Sequence, residues 1–71
     1  MDEQTLLINF GLNFKKERIK LKLTQEDIIN RTNFSKSYVS NVENGKYNIS
    51  VINALKFSKI VNKTIEELVS D

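Results

Sequence analysis

At 71 residues, 39% of them hydrophobic and 28% charged, the chain can build one small core, worth a net stability of about 3–5 kcal/mol. It contains no Cys and no His, so disulfide and thiolate chemistry is excluded, and zinc sites and most hydrolytic constellations lack the side chains they need. The net charge of +2 is unevenly spread: all eleven Lys and Arg lie within residues 15–63 beside only four acids, Glu17, Glu26, Asp27 and Glu43, while both flanking segments carry acids alone.

The longest apolar run, Leu6 to Ile8, is far shorter than the roughly 20 residues that cross a bilayer, and no signal-peptide layout is present. The expected location is therefore cytoplasmic, with no membrane partner. Pro is absent and the only glycines are Gly11 and Gly45, so no linker is visible and residues 1–71 read as one domain.

In chain order, Leu6, Leu7, Phe10, Phe14 and Leu21 recur at helical spacing and predict a first helix over about Glu3–Leu21. Gly11 inside it marks a place where another backbone comes close. Thr24 is a good N-cap, and Glu26 and Asp27 favour the positive end of the helix dipole, which predicts a second helix over about Gln25–Arg31. Asn33 suits a left-handed turn. Ser35 then caps a third helix, Lys36 to about Asn44, which Gly45 stops. Ser50 caps a fourth over Val51–Val61, with Val51, Ile52, Leu55 and Ile60 expected to face inward. Thr64 and Glu67 form a capping box for a short fifth helix carrying Ile65, Leu68 and Val69.

Two short helices joined by a tight turn make a helix-turn-helix, here over residues 24–44. Ile28, Ile29, Thr32, Phe34, Val39 and Val42 fall where such a pair must meet itself and the first helix. Lys36, Ser37, Tyr38, Ser40 and Asn41 are left outward, and their donors and acceptors suit base edges in a major groove wide enough for one helix. Within the basic stretch, Lys15, Lys16, Arg18, Lys20 and Lys22 crowd into eight positions. A charge run alone reads first as a solvated helix face, but this density also suits a phosphate backbone. The carboxylates are scattered over helix ends and no nucleophile has a base partner, so no catalytic residues, metal, cofactor or small-molecule substrate are expected.

The segments "TQEDI", "SKSYVSNVENGK" and "NISVINALKFSKIVNKTIEEL" resemble successive signatures of the Xre or lambda repressor type helix-turn-helix family, over about Phe10 to Val69. That resemblance implies an all-α, five-helix DNA-binding domain. The size and the "NIS" before the fourth helix are most similar to the controller proteins of restriction-modification systems; small phage repressors and antitoxin-like interaction modules are the alternatives. By the resemblance, Lys36, Ser37, Tyr38 and Asn41 read bases, Gln25, Asn44 and Lys46 hold phosphates, and Arg18 with Glu43 forms a partly buried ion pair. Double-stranded DNA is the implied partner, and RNA polymerase is a candidate second one.

Three positions depart from the family pattern: Ile29 replaces a usual Ala, Asn33 a usual turn Gly, and Lys22 a common Gly. Ile29 implies a wider crossing or a small neighbour such as Ser40. One recognition helix reads too short a site for a genome, so a homodimer is expected. Ile49, Ile52, Ile65, Leu68 and Val69 exceed what one thin core needs and are the candidate interface.

Overall fold

Each helix starts on a side chain whose oxygen closes its first turn. Asp2, Thr24, Ser35, Ser50 and Thr64 accept the backbone N–H groups of Thr5, Asp27, Tyr38, Asn53 and Glu67, respectively. At Thr24 and Thr64 the box is reciprocal, because Asp27 and Glu67 accept the N–H of the capping residue. In this computed structural model, which describes residues 2–71, the resulting elements are α1 (Glu3–Lys20), α2 (Gln25–Thr32), α3 (Lys36–Glu43), α4 (Val51–Val61) and α5 (Ile65–Val69). The protein is all-α over its described residues. None of these helices is long and apolar enough to cross a membrane.

The stops are equally local. Lys22, Asn33, Gly45 and Asn62 take positive φ, between 59 and 70°. Behind three of them the chain folds back with one bond pattern: Leu23 N–H donates to the Arg18 carbonyl, Lys46 to Asn41 and Lys63 to Ser58. Asn33 turns α2 into α3 as expected. Lys22 adopts the left-handed conformation without being Gly or Asn, at a cost of about 1–2 kcal/mol.

The core is Phe10, Phe14, Ile28, Val39, Val42, Ala54, Phe57, Val61 and Leu68. Phe57 of α4 is its centre. Phe14 meets the Phe57 ring edge-on at 4.8 Å, Phe10 does so at 6.2 Å, and Phe34 stacks on it at 5.3 Å. Both glycines serve a single contact, that of α1 with the end of α3. A Cβ on Gly11 would run into the carbonyl oxygen of Val42 and lie 2.7 Å from that of Glu43. A Cβ on Gly45 would lie 2.9 Å from Ile8 Cα. The helix α5, only five residues long, is held by α1: Asn13 donates to the carbonyls of Leu68 (2.8 Å) and Ser70 (2.7 Å), and Asn9 donates to the carbonyl of Val69 (3.1 Å).

Three expectations are corrected. Helix α4 is rotated about its axis relative to the expected register: Val51 is 70% exposed and Ile52 63%, Leu55 is exposed as well, and the inward row is Ala54, Phe57, Ser58 and Val61. The aromatic ring wins the centre because it finds four other rings there, those of Phe10, Phe14, Phe34 and Tyr38. Leu21 is exposed beyond the last turn of α1 rather than continuing its buried stripe. Leu68 is 1% exposed and belongs to the core of its own chain, so it is unavailable to a partner. Of the other candidate interface residues, Ile49, Ile65 and Val69 are half-buried against the core and Ile52 is exposed.

Candidate nucleic-acid interface

Helices α2 and α3 pack through Ile28, Val39 and Val42, all buried, with the half-buried Ile29, Phe34 and Ser40 around them. That packing fixes which side of α3 is left outward. Lys36 and Ser37 are exposed on its first turn; Ser40 and Asn41 follow half-buried, with Asn41 Nδ2 3.4 Å from Ser37 Oγ. The long Asn41–Ser37 contact leaves both groups free to exchange it for another partner. Asn44 and Lys46 are exposed in the turn beyond α3. Lys36, Ser37, Asn41, Asn44 and Lys46 thus form one polar, basic strip along the helix and past its end.

Tyr38 stands apart from that strip. Its ring is half-buried between Phe34 (4.9 Å) and Tyr47 (5.7 Å), and its hydroxyl accepts from Asn53 Nδ2 of α4 at 2.9 Å. The phenol proton is left to donate. Tyr38 is therefore first a strut between α3 and α4. Asn53 and Tyr47, which complete that strut, carry no signal in the sequence, since a polar residue on the first turn of α4 and an aromatic in a loop are both unremarkable there.

The only acid in α3 is Glu43, and it is neutralised internally. Arg18 Nε donates to Glu43 Oε2 at 2.7 Å and Nη2 to Oε1 at 3.1 Å, while Nη1 donates to the Leu23 carbonyl at 2.8 Å. Both residues are buried, so the bidentate pair ties α1 to the end of α3, with each of the three guanidinium nitrogens making a hydrogen bond. Gln25, the first residue of α2, joins it: Nε2 donates to Glu43 Oε1 at 3.1 Å. The outward surface of α3 consequently presents Lys36 and several amide and hydroxyl groups with no free carboxylate.

The helix-turn-helix family pattern matches residues 14–68. This chain belongs to that family. Control protein C.MunI from Mycoplasma sp. is 40% identical over 65 residues, covering 90% of this chain and 88% of that protein. An uncharacterized HTH-type transcriptional regulator, y4dJ, from Sinorhizobium fredii is 35% identical over 60 residues, covering 84% of this chain and 78% of its own. Among solved structures, the restriction-modification controller protein C.AhdI from Aeromonas hydrophila matches with a TM-score of 0.77 at 32% identity, covering 87% of this chain and 94% of that one. The controller protein C.Esp1396I, solved as a tetramer with its natural 35-base-pair operator, has the same fold: TM-score 0.76 at 24% identity, over 90% of this chain and 88% of that one. The five-helix, lambda repressor-like architecture implied by the sequence motifs holds, as does the likeness to restriction-modification controller proteins.

Proposed function

We propose that this protein is a sequence-specific DNA-binding transcriptional regulator of the restriction-modification controller type, which binds a pseudo-palindromic operator as a homodimer. The observation that carries the reading is the outward side of α3, where Lys36, Ser37, Ser40 and Asn41 project without a free carboxylate because Glu43 is paired inside. Lys36, Ser37 and Asn41 are the base-reading residues. Tyr38 adds the hydroxyl proton that its bond from Asn53 leaves free. Gln25, Asn44 and Lys46 hold phosphates and set the register. The relatives described as controller proteins support the subtype. The cytoplasm is the proposed location, and RNA polymerase the proposed further partner.

Dimerisation follows from size and surface. The chain spans 32 Å along its longest axis, whereas two half-sites lie about 34 Å apart, so one copy cannot read both. Val51, Ile52 and Leu55 form an exposed apolar row on α4, beside the half-buried Ile49. A two-fold contact through this row, rimmed by Ile65 and Val69 of α5, would bury it.

Selection from a randomised duplex pool, followed by binding measurements on the enriched site and on random duplex, tests the function. Each good base contact adds about 1–3 kcal/mol of discrimination, so Lys36→Ala or Asn41→Ala weakens the enriched site far more than random DNA. Equal losses on both would make these residues phosphate contacts. A pool that never enriches any sequence would sink the regulator reading.

A further inference from the structure

Gln25 and Glu43 stand 18 residues apart on different helices, yet their side chains are bonded, and this bond decides which way the Gln25 carboxamide faces. A carboxylate only accepts, so the group turned toward Glu43 Oε1 must be the NH2, whichever way an amide might otherwise be flipped. One of its two N–H bonds is then committed, and the other remains to donate at the N-terminus of α2. Glu43 itself cannot shift: it is buried and takes two hydrogen bonds from Arg18, which is anchored on the Leu23 carbonyl.

We propose that Glu43 is a positioning residue for DNA binding, acting through Gln25: the buried Arg18–Glu43 pair holds the Gln25 carboxamide with one N–H ready for a backbone phosphate. The proposal rests on the DNA-binding reading above and deepens it. Arg18 has a second part in the arrangement. A carboxylate one side chain away from a phosphate would repel it, and the guanidinium cancels that charge at the distance of a direct bond. The first turn of α2 also carries Glu26 and Asp27, the latter bound to Thr24 in the capping box, so this helix end offers the phosphate its free N–H groups rather than a net positive charge. The clamp is electrically neutral. It therefore differs from Lys36 or Lys46, because an amide neutralises no phosphate, so it releases no counterion from the DNA and adds nothing to the salt slope.

The test measures affinity for the selected duplex against salt, for wild type, Gln25→Ala, the paired Arg18→Met/Glu43→Leu, and all three changes together. The paired change removes both charges at once, so no buried charge is stranded, and helical content by circular dichroism checks the fold of each variant. Gln25→Ala is expected to lower affinity about tenfold at every salt concentration with the slope unchanged, on cognate and random DNA alike. Lys46→Ala should reduce the slope by about 0.9. The paired variant should match the loss from Gln25→Ala, and adding Gln25→Ala to it should cost nothing more. If the losses add in full, Gln25 is oriented without Glu43 and the proposal is overturned. It is also overturned if Gln25→Ala leaves affinity intact while Lys46→Ala lowers it. Should the paired variant not fold, the side-chain amide resonances of Gln25 in the wild type decide: two well-separated protons, one protected from exchange without DNA and the second shifting on its addition, sustain the relay, and a degenerate, rapidly exchanging pair removes it. A wild type that binds no duplex would fail the DNA-binding reading itself, which the affinity series separates from these outcomes.

Discussion

Helices α3 and α4 begin alike, on a serine whose hydroxyl takes the N–H three residues on, but they place their aliphatic side chains oppositely. In α3 the valines Val39 and Val42 point inward and the polar groups outward. In α4 the aliphatics Val51, Ile52 and Leu55 point outward, while the inward row is a ring, a small residue and a hydroxyl flanking Val61. Hydrophobicity on α3 records how the monomer folds. On α4 it also leaves Val51, Ile52 and Leu55 exposed in excess of the monomer core, the row proposed above for a two-fold contact.

The sharpest way to break that comparison is to exchange the weight of the two α4 faces. Phe57→Ala should cost about 3–5 kcal/mol in denaturant unfolding, because four aromatic contacts lose their common partner. A loss under 1 kcal/mol would place the core elsewhere. Next in size is Gly11→Ala, which drives a methyl group into the Val42 carbonyl and should cost about 2–3 kcal/mol by prising α1 from α3. Ile52→Ser on the outer face should leave monomer stability within about 0.5 kcal/mol. It should instead weaken self-association in sedimentation over a micromolar concentration range, and an unchanged dimer would detach the apolar row from any two-fold contact.

The smallest expected effect is a response to pH. Bonds from the N–H groups of Thr24 and Thr64, and from their hydroxyls, hold the carboxyls of Asp27 and Glu67 below their usual range, and the Thr5 N–H does the same for Asp2. With folded values lowered, these groups stabilise the fold above their unfolded pKa of about 4 and lose that contribution as pH falls through the folded values. Serine caps do not titrate. Amide exchange between pH 6 and pH 3, corrected for intrinsic rates, should therefore show the first turns of α1, α2 and α5 loosening on acidification, with those of α3 and α4 unchanged.

Helix positions were legible because caps and left-handed stops act over three to six residues: Thr24, Ser35, Ser50 and Thr64 start helices where expected, and Asn33 and Gly45 carry positive φ. The outward placement of Lys36 and Ser37 was legible from Val39 and Val42 alone. The register of α4 was not, since Phe57 is drawn inward by rings from α1 and from the turn before α3, which no periodicity within α4 reveals. The Tyr38–Asn53 bond and the tie between Gln25 and Glu43 were hidden for the same reason. Each joins residues 15 and 18 positions apart, respectively, through a geometry that exists only after the helices have packed.

The carboxamides of Asn9 and Asn13 bear on how long the folded molecule lasts. Their bonds to the carbonyls of Leu68, Val69 and Ser70 bridge 55 to 60 positions of chain, so forming them closes most of the polypeptide into a single loop. The contacts within the helix-turn-helix close far shorter loops and can assemble first. By that ordering the seam between α1 and α5 is expected to close late, after the folding barrier is crossed. Interactions made that late govern the rate of opening and hardly touch the rate of closing. On that expectation two asparagines remote from the recognition helix would act as a latch on lifetime, and Asn13→Ala should speed unfolding, read as faster proteolysis, with the refolding rate little changed.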